Sequence, residues 1–170
     1  PDAVFYGGMD ATGGPLIKQG REPGISAVFA FGDGACTEEM NKLGGPAAEG
    51  LLCSQAGIPP QAASKKFLET FKKKFNVAPS IYSPFTYDAA NMLIEAMKKA
   101  DSSDPKKCLP ELQKMTYTGA TGPIAFDDKG DRKDAEITIF TMKAKLDPIA
   151  VEKGGKTQTY DDFLKSMGGK

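Results

Sequence analysis

Histidine is absent from all 170 residues. That removes at once the commonest general base, the Ser-His and Cys-His nucleophile pairings and the commonest metal ligand. Any catalysis would have to rest on carboxylates, Lys, Tyr or Cys. Cysteine is sparse as well: Cys36, Cys53 and Cys108 have no CxxC spacing and form no zinc pattern. An excess of charge of either sign is also missing, with 22 basic and 22 acidic residues. That balance leaves no electrostatic footprint for nucleic acid or anionic lipid. No apolar run approaches the roughly 18 to 20 residues that span a bilayer. The opening residues, "PDAVFYGG", read as a core strand and not as a signal peptide, so the chain is expected to start inside a larger architecture. The rest of the composition, 40% hydrophobic and 26% charged, is that of a globular chain.

What is present has a clear order. "DAVFY" and "SAVFAF" are short Val- and Phe-rich runs that each end at glycine. Both faces are apolar, which predicts buried parallel strands. "ATGGPLIKQGREPG" between them holds a helix with Leu16 and Ile17 inward, stopped by Pro23-Gly24. "TEEMNKLGG" is a second helix, with Thr37 at a capping position and acids in the first turn. "GLLCS" is a further strand, giving the alternation of an α/β fold with right-handed crossovers. "GIPPQ" then breaks the pattern. "SKKFLETFKKKFN" forms a helix with Phe67, Leu68, Phe71 and Phe75 on one stripe. "PFTYDAANMLIEAMKKA" forms another, with Met92, Leu93, Ala96 and Met97 expected inward, and "DPKKCLPELQKM" a shorter third opened by Pro105. "PIAFDDKGDRKDAEITIFTMK" alternates around an Asp- and Gly-rich turn and predicts a β-hairpin, with "DPIAVEK" as a following strand. The polar tail, 152–170, has one short helix over "YDDFLKSM".

One local feature raises a chemical question. In "FAFGDGACT", Asp33 stands between two glycines directly after an apolar run. At a strand end, a lone carboxylate can be an acid catalyst, a metal ligand, a helix cap or a counter-ion for a bound cation. "FDDKGDRKD" offers more carboxylates, but Lys129 stands where a calcium loop needs an oxygen. A solvated turn with Gly130 at positive φ is the expectation there. "FKKKF" is a solvated helix face, and the lone "GDG" lacks the Lys and Ser/Thr of a phosphate loop.

Four segments together carry a resemblance. "DAVFYGGMDATGGPLIKQGRE", "GDGACTEEMNKLGGPAAEGLLCSQAG", "IYSPFTYDAANMLIEAM" and "TGPIAFDDKGDRKDAEITIF" resemble the C-terminal half of the substrate-binding proteins of branched-chain amino acid ABC transporters, which are type I periplasmic binding proteins. The likeness runs from about Asp2 to about Val151. It implies part of a two-lobed α/β fold, with parallel sheets flanked by helices plus a C-terminal β-hairpin. Residues 1–56 would belong to the C-terminal lobe, and 57–121 would supply helices to the N-terminal lobe. Residues 122–151 would return through the hinge to the C-terminal lobe.

The resemblance also implies roles. Asp33 would hold the α-ammonium of an amino acid, a charge-assisted contact worth roughly 1.5 to 3 kcal/mol. Met9 and Asp10, at the neighbouring strand end, would touch the ligand, and Tyr82 would give an aromatic wall, with Phe85 a weaker candidate. Core packing for the aromatics and a turn role for Asp10 are the plain alternatives. Cys36 and Cys53 would form a disulfide, as suits an exported family, while Cys108 on an outer helix stays unpaired. The implied function is non-enzymatic capture of a branched-chain or similar small amphipathic solute, without metal or cofactor, in the periplasm or another extracytoplasmic space. The partners would be the permease subunits of an ABC importer and a missing N-terminal half or a second copy of the chain. A ligand-sensing domain of a receptor or regulator with the same fold is the alternative, as is an inactive half-domain. A hydrolase built on Asp10 and Asp33 has no nucleophile motif behind it.

Overall fold

The computed structural model describes residues 1–166, which form two compact units. The first joins Pro1–Gly57 to the chain from Glu136 onward, and the second is Ile58–Ala135. In chain order the elements begin with β1 (Ala3–Tyr6), α1 (Asp10–Arg21), β2 (Val28–Phe31), α2 (Glu38–Gly44) and β3 (Leu52–Ala56). The second unit then holds α3 (Lys65–Phe75), α4 (Ser83–Ala100), α5 (Pro105–Gln113), β4 (Tyr117–Gly119) and β5 (Gly122–Ile124). The first unit resumes with β6 (Glu136–Met142), β7 (Leu146–Lys153), β8 (Lys156–Thr159) and α6 (Tyr160–Ser166). The expected tail helix is α6, and the tail residues 167–170 lie outside the described residues.

The first unit is a six-stranded sheet ordered β1-β2-β3-β6-β7-β8. β1, β2 and β3 are parallel, and every later pairing is antiparallel. The two helices between the parallel strands are set by local chemistry. Asp10 opens α1 and Lys18 and Arg21 close it, each sign on the side the helix dipole favours. The Thr37 hydroxyl caps α2 by accepting the Met40 N–H at 3.3 Å. Both helices cover one face of the sheet. Ile17 and Met40 pack there on Phe29, Phe31, Phe140 and Met142, all fully or nearly fully buried. The opposite face is open: Phe5 is 71% exposed and Val28 45%. Apolar residues on both faces of β1 and β2 predict burial on both, but only one face is covered among the described residues. Both crossovers have the same hand and direction, so both helices land on the same side.

Two further expectations shift. The Asp- and Gly-rich turn does not join two long strands; it closes a single bridge, Phe126 to Arg132. The sheet's hairpins are β6–β7, whose tight turn is held by Lys143 N–H donating to the Lys145 carbonyl at 3.0 Å, and β7–β8, closed at the Lys153–Lys156 pair. The turn itself has the expected chemistry: Asp127 Oδ1 accepts from the Lys129 and Asp131 N–H groups, and Gly130 has φ 88°. The return placed near residue 122 falls within the second unit, since β5 pairs with β4 and the first unit resumes at Glu136.

In the second unit Ser64 caps α3 and Asp104 caps α5, each accepting a main-chain N–H of the first turn. Met92 and Ala96 of α4 bury against Cys108, Met115 and Ile124. Leu93 and Met97, expected inward, are 47% and 39% exposed. The helix turns its narrower Met92–Ala96 stripe to the core, so the flanking positions face out. Cys108 is free, as expected, but buried and not on an outer surface. Its thiol donates to the Ser102 carbonyl at 3.1 Å.

The most buried ionisable group of the unit is Asp88, on α4, at 1% exposure. Its Oδ1 accepts the Ala120 N–H at 2.7 Å, and Oδ2 accepts both the N–H and the hydroxyl of Thr121 at 2.8 Å. These donors form the β4–β5 turn, so one carboxylate holds the two-stranded ribbon to the helix. A Cβ on Gly119 would lie 2.3 Å from Asp88 Oδ1, and that approach requires glycine. Arg132 continues the network, donating to the Thr121 hydroxyl and to the carbonyls of Thr121 and Pro123.

Candidate functional site

The carboxyl ends of neighbouring parallel strands are where open α/β sheets present ligands. In the first unit, β1 runs out into Gly7-Gly8-Met9 and β2 into Gly32-Asp33-Gly34. The two loops touch. A Cβ on Gly34 would meet Met9 Sδ at 2.4 Å and the Gly8 carbonyl at 3.3 Å, so the thioether lies directly on the glycine after Asp33. A Cβ on Gly8 would meet the Tyr6 ring at 2.4 Å. That ring supports the first loop from below, and its hydroxyl donates to Thr12 Oγ1 at 2.9 Å. Thr12 Oγ1 in turn donates to the Met9 carbonyl at 3.1 Å, which fixes the turn into α1.

The second loop is held as firmly. Cys36 N–H donates to the Asp33 carbonyl at 3.0 Å, closing a 3-10 turn over Asp33–Ala35. Ala35 and Cys36 are fully buried beneath it. Cys36 is bonded to Cys53 on β3, with their Cα atoms 5.4 Å apart, so the loop after β2 is stapled to the adjacent strand. Asp33 itself is exposed on this braced turn. It does not cap α2, because Thr37 fills that place. Covalent closure of a 17-residue separation stabilises a fold by about 3 kcal/mol on the chain-entropy argument. Reduction should therefore lower the unfolding free energy of the first unit by that order in urea titrations. Intact mass before and after reduction checks the bond itself.

Asp10 lies at the same rim, but its oxygens are engaged within the unit. Oδ1 accepts the Ala11 N–H at 2.8 Å, and Oδ2 accepts the Thr37 hydroxyl at 2.7 Å. The pair links the start of α1 to the start of α2 across 27 residues of sequence. The structure thus brings Met9, Asp10 and Asp33 to one rim and adds Thr37, Tyr6 and Thr12 as the side chains that brace it. Thr37 is legible in the sequence as a cap, but nothing local shows its bond to Asp10.

Tyr82 and Phe85 belong to the second unit. Tyr82 is exposed and, with Phe67, Phe71, Phe75, Tyr87 and Tyr117, lines a groove of about 840 Å³ along α3 and α4. Burial, reinforced by the charge of Asp88, holds the Tyr117 phenol above its usual pKa. Phe85 is half-buried and takes no part in that lining. Among the described residues no group of three or more Cys, Asp or Glu side chains is arranged to hold a metal ion. Nor is any helix among them long and apolar enough to cross a membrane.

Comparison with known proteins places this geometry. The family model described as periplasmic binding protein matches residues 1–147. The chain belongs to the periplasmic binding protein family. Among curated relatives, the leucine-, isoleucine-, valine-, threonine- and alanine-binding protein of Pseudomonas aeruginosa is 28% identical over 138 residues, covering 81% of this chain and 37% of its own length. The Leu/Ile/Val-binding protein homolog 1 of Brucella suis is 31% identical over 150 residues, 86% of this chain and 40% of the relative. Among solved structures, the leucine-binding protein LivK of Thermotoga maritima superposes with a TM-score of 0.79 at 32% identity, covering 95% of this chain and 46% of that one. The LivJ substrate-binding protein of Streptococcus pneumoniae, in complex with isoleucine, gives 0.72 at 25% identity over 89% of this chain and 44% of LivJ. The chain therefore spans less than half the length of each of these proteins, and all of them are named for binding.

Proposed function

We propose that this chain is the portion of an ABC importer's solute-binding protein that holds the ammonium end of a branched-chain or related amino acid. The observation that supports this most directly is Asp33: an exposed carboxylate at the ends of parallel strands, on a turn braced by a disulfide and by Thr37–Asp10. A fixed anion that need not reorganise suits a small cation losing its water. Met9, beside it, offers apolar surface to the ligand. Asp10, whose Oδ2 accepts the Thr37 hydroxyl and whose Oδ1 accepts the Ala11 N–H, positions the rim. The carboxylate of the amino acid falls to residues outside this chain. Closure of two lobes around the ligand, favoured by its greater affinity for the closed state, is the mode of action, and the closed form is what permease subunits read. A disulfide fits the extracytoplasmic location.

Isothermal titration tests the reading. The chain, combined with the part of the family it does not span, is titrated with the twenty amino acids and with 4-methylpentanoate, which is leucine without its ammonium. Leucine, isoleucine or valine should bind, and the analogue should bind at least about tenfold more weakly. Equal affinity for the analogue removes Asp33 as counter-ion; silence with every amino acid removes the proposal. Gly34→Ala addresses Met9 separately. The new methyl displaces an exposed, flexible thioether, so melting should barely move while affinity falls. Unchanged affinity would leave Met9 out of the ligand surface.

A further inference from the structure

The disulfide of the first unit joins two parts of very different firmness. Cys53 sits inside the sheet, beside Phe31 of β2 on one side and Phe140 of β6 on the other. Every residue of β3, Leu52–Ala56, has a partner on β6. Cys36 belongs instead to the connection 32–37 between β2 and α2, which carries Asp33 between Gly32 and Gly34. Two main-chain hydrogen bonds of that connection are long: Gly32 N–H to the Tyr6 carbonyl at 3.4 Å and Ala35 N–H to the Gly32 carbonyl at 3.3 Å. The shorter one, Cys36 N–H to the Asp33 carbonyl at 3.0 Å, ties Asp33 to the bonded cysteine itself. The Thr37 link to Asp10 holds only the far end. Both cysteines are buried, in one cluster with Phe31, Met40, Ala48 and Leu51.

We infer, on the counter-ion reading of Asp33, that the Cys36–Cys53 bond sets the rim's selectivity for an ammonium group, so that the redox state of this one pair governs amino-acid affinity. Closing the bond takes two electrons and two protons from the thiols; a disulfide-exchanging oxidant accepts them and leaves as a dithiol. Opening it is the reverse, with a dithiol as reductant. Non-bonded sulfurs need more room than bonded ones, and a close-packed interior has little of it. The room must come from the side that yields. β3 is laddered on both sides, whereas the Asp33 turn is exposed and flanked by glycines, so the turn is what moves. A charge-assisted hydrogen bond depends on distance and angle, and a displaced carboxylate loses it. The apolar contacts of a ligand's side chain do not run through Asp33 and are kept. Opening the bond therefore acts on the ammonium alone. It also ties binding to a compartment: thiols stay reduced in the cytosol and are oxidised outside it, so an exported chain takes up full affinity only after leaving.

The test titrates leucine and 4-methylpentanoate into the chain combined with the part of the family it does not span, oxidised and after treatment with dithiothreitol. Both sulfurs are buried, so reduction proceeds through opening of the turn, and intact mass shows when it is complete. Reduction should weaken leucine at least about tenfold and leave the analogue, which has no ammonium, unchanged. Reoxidation with oxidised glutathione should restore the leucine affinity. The double variant Cys36→Ala/Cys53→Ala should bind leucine more weakly than the oxidised protein and should not respond to dithiothreitol. Undiminished leucine affinity in the reduced form or the double variant, an equal loss for both ligands, or a double variant that responds to dithiothreitol overturns the inference. Melting followed by circular dichroism fixes a temperature at which both redox forms are folded. A reduced form folded at no temperature also overturns it, because the bond then serves the fold and not the rim. Failure of the counter-ion reading itself looks different: the oxidised protein would then bind leucine and the analogue alike, and this inference would fall with it.

Discussion

Asp88→Ala should destabilise the second unit by about 4 kcal/mol. Removing the carboxylate leaves three donors, the Ala120 and Thr121 N–H groups and the Thr121 hydroxyl, buried without their acceptor. Each such orphan costs roughly 1 to 3 kcal/mol, and the cavity left behind admits no cheap replacement. Asp88→Asn keeps the shape but turns an NH2 group towards a donor, so it should cost about half as much. Gly119→Ala attacks the same contact from the other side, since its methyl would fall 2.3 Å from Oδ1. The double variant should therefore be far from additive. Urea denaturation measures the loss, and amide exchange at Ala120 and Thr121 localises it. A cost below about 1 kcal/mol for Asp88→Ala would show that the ribbon does not depend on this carboxylate.

Asp33→Ala should have the opposite profile: little change in stability and a loss of amino-acid affinity of roughly ten- to a hundredfold, the equivalent of one charge-assisted hydrogen bond. Stability is spared because the side chain is exposed, while the turn is held by buried Ala35, the Cys36–Cys53 bond and main-chain hydrogen bonds. Asp33→Asn keeps the size without the charge and should lose nearly as much, which separates charge from shape. Affinity for 4-methylpentanoate should not fall in either variant. Asp10→Ala gives the contrast. It unlinks Thr37 and should lower stability by about 1 kcal/mol, with an effect on binding that follows the loosened rim. Wild-type affinity in Asp33→Ala, measured by titration with leucine, would end the counter-ion role.

How much of this could be read in advance depended on how local the cause was. Strand ends marked by glycine, the Thr37 cap and the Gly130 turn are written within a few residues, and the folded chain has them in place. Asp33 at a strand end was legible for the same reason. Asp88 was in plain view in "TYDA" but had no readable role, because its partners lie 32 and 33 residues away. Arg132 was hidden in a charged run that reads as solvated, although its guanidinium serves the carbonyls of Thr121 and Pro123. Leu93 and Met97 fit a helical stripe by spacing, yet the width of the stripe a core accepts is set by its neighbours. The apolar second face of β1 and β2 misled in a more useful way. Among the described residues nothing covers that face, and Phe5 and Val28 stay exposed.

Gly57 N–H donates to the Glu136 carbonyl at 2.6 Å, and Ala56 lies opposite Ile137 in the antiparallel β3–β6 pair. The 78-residue excursion between them thus leaves and re-enters at a single point of the sheet, as a plug-in module would. Trimming it away and splicing the two stumps with a tight two-residue turn would convert the junction into an ordinary hairpin, with each rung of the ladder unaltered. Transplanting a different insert at that seam is the engineering counterpart.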